Sequence, residues 1–231
     1  SLLQRRCWLG EALQAELQAV IAWAQPQAEQ SWPQGVGARA MLGLAWAWRS
    51  AAGDGAIRQQ AARAVDGGSM SLARSGLAAL QPWDCPERQQ ATTAFAKRWR
   101  QRPVILDAWF AMEASAPFGD GMARADALLQ DPAFDPNAPN SLRAVLGGFG
   151  RCAEHFHRTD GRGYQWMAQQ LVAVDQRNPI AASRMLKLFM GWRRYSPERQ
   201  QLMRASLEWL AENLSSPNSK EVVMLCLGAA D

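Results

Sequence analysis

The chain has 231 residues, 48% of them hydrophobic and 20% charged, with 25 basic against 21 acidic side chains. That apolar content supports a packed core and excludes wholesale disorder, and no run of about 18 apolar residues is present to cross a membrane. Two histidines, four widely spaced cysteines, and 22 arginines beside only three lysines leave little material for metal sites, disulfide frameworks or a clustered basic arm for nucleic acid.

In chain order, Leu13, Leu17, Val20, Ile21 and Ala24 fall on one face of a helix predicted over 9–24. A second helix, 37–52, contains Met41 to Trp48, apolar all round as befits a helix between layers. Further helices are predicted over 55–66, 69–80, 86–100, 104–115, 119–130 and 140–150. The series ends with 164–176, 179–193, 197–213 and 217–227. Asn178-Pro179, Ser196-Pro197 and Ser216-Pro217 each set a capping side chain before a proline at the first helical position. Gly53, Gly67-Gly68, Gly119 and the Asp160-Gly161-Arg162-Gly163 stretch mark breaks between helices. No alternating β-branched run is bounded by hairpin turns, so no strand is expected. Six helix pairs of about 38 residues each give the period of helical-hairpin solenoids. The expected fold is all-α: one domain, 1–231, built as a superhelical armadillo/HEAT-like array of antiparallel helix pairs.

The chemistry-bearing residues are sparse. His155 and His157 stand two apart, whereas a helical zinc site of the His-Glu-x-x-His kind needs four. Cys152 and His155 share a helix face, but two ligands make no closed site. Asp131, Asp135, Asn137 and Asn140 lie in one loop. Pro132, Pro136 and Pro139 interrupt them, and a calcium loop's glutamate and glycine are missing. Asp120 and Asp126 have no evident partner, and no nucleophile elbow or phosphate loop is present. The four cysteines read as buried free thiols of a reducing compartment, and the eleven tryptophans as rings filling gaps between helices. From its own residues the chain is expected to be inactive, with no catalytic and no metal residues, and the scattered arginines are assigned to solvated helix faces.

Several ordered segments resemble the C-terminal domain of bacterial aminopeptidase N. They are Trp99-Arg100-Gln101-Arg102-Pro103-Val104-Ile105-Leu106-Asp107-Ala108-Trp109-Phe110, Pro139 to Phe149, Phe156-His157 with Asp160 to Tyr164, Arg177 to Arg184, and Arg194 to Gln200. Residues 9–80 fit the same domain more loosely. The resemblance implies a zinc-dependent, cytoplasmic alanyl aminopeptidase that removes N-terminal residues from peptides. Its zinc and its His-Glu-x-x-His helix belong to an upstream domain. The family's C-terminal domain is a superhelical bowl that closes over the active site, and its first helices precede Ser1. The implied partners are the upstream catalytic domain of the same polypeptide and short peptides, with neither nucleic acid nor membrane. The implied chamber-lining residues are Asn178, Ile180, Arg184 and Arg143. Asn178 reads equally as a helix cap, and Arg143 and Arg184 equally as interhelical salt-bridge partners. The alternative is a stand-alone helical-repeat module that binds peptide or protein. A missing neighbour is expected to leave the helix around Leu13 to Ala24 as an exposed apolar edge.

Overall fold

The computed structural model describes residues 2–228, and every regular element among them is helical. The helices fall into two compact units, residues 1–101 and 102–231. The first holds α1 (Leu2–Ala12), α2 (Gln14–Ala28), α3 (Val36–Ala51), α4 (Gly55–Val65), α5 (Met70–Leu80) and α6 (Pro86–Trp99). The second holds α7 (Pro103–Ala114), α8 (Gly121–Leu129), α9 (Pro139–Arg151), α10 (Ala153–Phe156), α11 (Arg162–Asp175), α12 (Pro179–Leu186), α13 (Pro197–Asn213) and α14 (Pro217–Leu227). Two short 3-10 turns, Lys187–Phe189 and Trp192–Arg194, lie between α12 and α13.

Local chemistry sets the helix starts. Proline occupies the first turn of α6, α7, α9, α12, α13 and α14, where its missing N–H leaves nothing unsatisfied. Asp54 Oδ1 accepts from Ile57 N, Asp120 Oδ1 from Met122 N and Ala123 N, and Ser216 Oγ from Ser219 N. Ser196 occupies the matching position before Pro197 without capping the backbone; its hydroxyl instead helps hold the Glu198 carboxyl below its usual range.

Helix ends account for four of the 22 arginines. Arg39 donates to the carbonyls of Ala28 and Gln30 after α2, and Arg98 to those of Asp66 and Gly67 after α4. Arg124 reaches Ala116 O and Phe118 O after α7, and Arg193 reaches Cys226 O and Leu227 O at the end of α14. A guanidinium fork suits pairs of orphaned carbonyls at the negative end of a helix dipole. These four arginines therefore hold the fold together rather than merely solvating a face.

In each unit a helix packs on its neighbour and on the next but one, as stacked hairpins do: α2 on α3, α3 on α5 and α4 on α6, then α7 on α9, α11 on α13 and α12 on α14. The first unit's core is Leu17, Ile21, Leu42, Trp46, Ile57, Val65, Leu77, Leu80 and Phe95, with many alanines that let helices approach closely. At the α4–α5 crossing a Cβ on Gly76 would lie 2.3 Å from the Ala61 carbonyl oxygen. The second unit's core is aromatic. Phe156 meets Tyr164 edge-on at 5.2 Å and Phe189 at 5.6 Å, while Phe149 tilts against Trp166 at 4.4 Å.

Several expectations change. The predicted first helix divides at Leu13 into α1 and α2, and α2 continues through Pro26 to Ala28. The helix expected over 179–193 ends at Leu186 and passes into the two 3-10 turns, and α10 was not foreseen. Leu17, Ile21 and Ala24 are buried, so the α2 face expected to lie open is covered; Trp8, Trp23 and Trp32 are the exposed rings there. Tryptophan is thus not mainly core material: Trp46, Trp166 and Trp192 are buried, whereas Trp209 is also exposed. Of the cysteines, all free, Cys152 and Cys226 are buried but Cys7 and Cys85 are only half-buried.

Buried Asp175, at the end of α11, ties it to the start of α14. It accepts from Ser215 N and Ser216 N, both at 2.9 Å, and from the hydroxyls of both serines. Burial alone would raise its pKa, but these hydrogen bonds win and hold it at about 2. The stability it adds is present above pH ~4 and lost as pH falls through about 2, roughly 2 kcal/mol in all. Asp175→Asn should therefore lower the melting temperature at pH 7 and flatten the loss of stability between pH 4 and 2, read by thermal denaturation across pH. Gly76→Ala should cost on the order of 1–3 kcal/mol by forcing α4 and α5 apart. Gly37→Ala, with nothing within 4 Å, should be neutral or slightly stabilising, both variants being read by urea denaturation.

Candidate functional site

The four residues singled out for chamber lining lie on α9, on α12 and at the cap of α12, and these two helices pack on each other. Asn178 is half-buried, and its Oδ1 accepts from Ala181 N at 3.0 Å, so its side chain is a helix cap. Ile180 is 59% exposed, an apolar side chain open to solvent on this face. Arg184, one turn further, is exposed and makes no ion pair. Arg143 is also exposed, and its single hydrogen bond goes to Asn140 Oδ1 at 3.0 Å. Neither arginine is an interhelical salt-bridge partner.

The face extends beyond these four. Arg143, Gly147 and Arg151 follow each other at one-turn spacing on α9. A Cβ on Gly147 would sit 3.5 Å from Arg143 Cγ, 3.6 Å from an Arg151 terminal nitrogen and 4.0 Å from Met185 Sδ of α12. Gly147 thus forms a shallow notch between two arginines, with α12 alongside. Lys187 follows Arg184 within one turn and is likewise exposed and unpaired. No Asp or Glu occurs between Pro136 and Ala153 or between Gln176 and Tyr195, so the face is cationic although the second unit as a whole carries both signs. Such a surface attracts carboxylates, and exposed Ile180 beside it offers an apolar contact. Arg151 and Lys187 were missed in the sequence, although the i+4 spacing from Arg143 was there to be read.

The remaining chemistry-bearing residues have structural partners. His155 is buried, with Nε2 at 3.0 Å from Ala116 O, and Cys152 Sγ lies 3.7 Å from the same oxygen. Cys152 is the extended residue between α9 and α10 rather than part of a helix, and its thiol and the His155 ring converge on that one carbonyl. His157 Nδ1 lies 2.8 Å from the hydroxyl of buried Tyr164, whose pKa burial pushes up to about 12. Asp126, which the sequence left without a partner, accepts from Trp166 Nε1 at 2.9 Å. Asp131 and Asp135 accept from the backbone N–H groups of Ala133 and Asn137 in tight turns, so the proline-rich loop is built by its own carboxylates. Among the described residues no three His, Cys, Asp or Glu side chains gather as metal ligands, and no helix is long and apolar enough to cross a membrane.

Comparison with known proteins places this geometry. The chain is 41% identical to aminopeptidase N of Caulobacter vibrioides over 140 residues, 60% of this chain and 16% of that protein. It is 33% identical to aminopeptidase N of Escherichia coli over 150 residues, 64% of this chain and 17% of that protein. The chain thus spans about a sixth of the length of the curated relatives it matches. In fold, it is similar to Legionella pneumophila aminopeptidase A, solved in complex with aspartic acid, with a TM-score of 0.87 and 21% identity over 98% of this chain and 28% of that one. A model of a domain of unknown function, DUF3458_C, described as ARM repeats, matches residues 3–228, and the chain belongs to that family.

Proposed function

We propose that this chain is the non-catalytic helical domain of a zinc-dependent aminopeptidase, in which it covers the active-site chamber and helps select the peptides that enter. The observation that carries this reading is the similarity to bacterial aminopeptidase N. The α9–α12 face gives it a physical basis. Short peptides carry a C-terminal carboxylate, and Arg143, Arg151, Arg184 and Lys187 form a surface with unspent positive charge to meet it. Ile180 supplies an apolar contact for a neighbouring side chain.

In this reading the zinc and the groups that cleave the peptide bond belong to a catalytic domain of the same polypeptide. This chain orients and admits substrate and takes part in no proton transfer. Its partners are that domain and short peptides. The unpaired cysteines suit a reducing compartment such as the cytoplasm. Arginines spent on helix-end carbonyls argue against a nucleic-acid role.

The test uses the polypeptide that carries this chain. Arg143→Gln combined with Arg184→Gln should raise KM for alanyl tri- and tetrapeptides several-fold, on the order of 1 kcal/mol for exposed charge contacts. It should leave kcat nearly unchanged, and leave turnover of an uncharged alanyl anilide unaffected. Unchanged KM for every peptide would remove the face from the chamber.

A further inference from the structure

A second site lies on the same unit, around α10 and the start of α13. A wide, open depression of about 400 Å³ is lined by Ala153, Glu154, His157, Arg158, Thr159 and Arg199. The polar groups around it are held by one end and free at the other. Arg199 Nε donates to His157 O at 3.2 Å, leaving its two terminal nitrogens without a partner. His157 is fixed by Tyr164 through Nδ1 and by the Tyr195 ring at 4.4 Å, leaving Nε2 free. Burial, with the Arg199 charge, lowers the His157 pKa and favours the uncharged ring.

The charges around the depression are easily counted. Arg158 is spent on Asp160, to which its Nε donates at 3.0 and 3.2 Å. Glu154 has only a weak contact, from Cys152 Sγ at 3.6 Å. Among the described lining residues, Glu154 and Arg199 make no ion pair, although the Arg199 charge also acts on Glu198 next to it. Opposite charges that share a depression without meeting suit a ligand that carries both signs. A simple anion would face Glu154, and a simple amine would face Arg199.

We propose that this depression binds a free α-amino acid, its carboxylate on the Arg199 terminal nitrogens and its ammonium on Glu154. The guanidinium fork matches a carboxylate bidentately. The volume accommodates a small or medium side chain, and the site is distinct from the α9–α12 face. The inference rests on this chain alone and stands or falls independently of the aminopeptidase reading.

Isothermal titration of the 231-residue chain with L-alanine tests it, with propionate, ethylamine and inorganic phosphate as single-charge probes. Saturable binding of alanine is expected, with propionate and ethylamine each at least tenfold weaker. Glu154→Gln, an exposed change that leaves the fold intact, should weaken alanine at least tenfold while leaving propionate unchanged or tighter. Arg199→Gln should abolish both, with circular dichroism confirming that it is folded. Propionate or phosphate binding as tightly as alanine would overturn the assignment in favour of a plain anion site. Absence of saturable alanine binding to the folded chain would overturn it outright.

Discussion

The second unit depends on one close approach, that of Gly163 to the backbone of α10. A Cβ at Gly163 would stand 2.1 Å from the His155 carbonyl oxygen and 2.6 Å from that of Phe156, so no larger residue fits. That approach puts the start of α11 directly against α10 and brings Tyr164 edge-on to Phe156 and within reach of His157. A second close approach completes the arrangement: a Cβ on Gly121 would be 2.2 Å from the His155 ring, whose Nε2 reaches Ala116 O beyond α7. Helices α7, α8, α10 and α11 are thereby locked around two histidines that looked, from their spacing alone, like failed metal ligands.

The two proposed surfaces rest on this lock. Phe149 of α9 packs on Trp166 of α11 and Phe156 of α10, which fixes α9 and the arginines on its outer face. Arg199 of α13 donates to the His157 carbonyl just after α10, which places it beside Glu154 at one depression. Both surfaces use charges that the core does not need. Elsewhere the arginines are committed: Arg39, Arg98, Arg124 and Arg193 close helix ends by donating to carbonyls.

Much of this was legible in the sequence. Helical periodicity gave the all-α class, and Asn178-Pro179 and Ser216-Pro217 marked helix starts that the hydrogen bonds reproduce. Short-range signals failed where tertiary packing decides. Leu13 interrupts an apolar stripe that reads as continuous, and α10 has only four residues, too few for any period. The 179–193 segment keeps its apolar spacing beyond Leu186 while its backbone tightens into 3-10 turns, which seat Phe189 and Trp192 in the core. Site residues divided the same way. Ile180, Arg184 and Arg143 are exposed on neighbouring helices, and the spacing from Arg143 to Arg151 was available to inspection. The opposition of Glu154 and Arg199 was not, since 45 residues separate them and only the fold brings them to one depression. Exposed tryptophans were invisible for a related reason: composition counts rings but does not say which face they occupy.

The central claim is that the α9–α12 face touches peptide. Replacing Ile180 with a photoreactive benzoylphenylalanine in the polypeptide that carries this chain, and irradiating with an alanyl tripeptide, tests it most directly. The account predicts a covalent adduct at position 180 that excess unlabelled peptide competes away, and none from the same probe at Val104, which is even more open to solvent on α7. No adduct at position 180, or equal labelling at both positions, would contradict it.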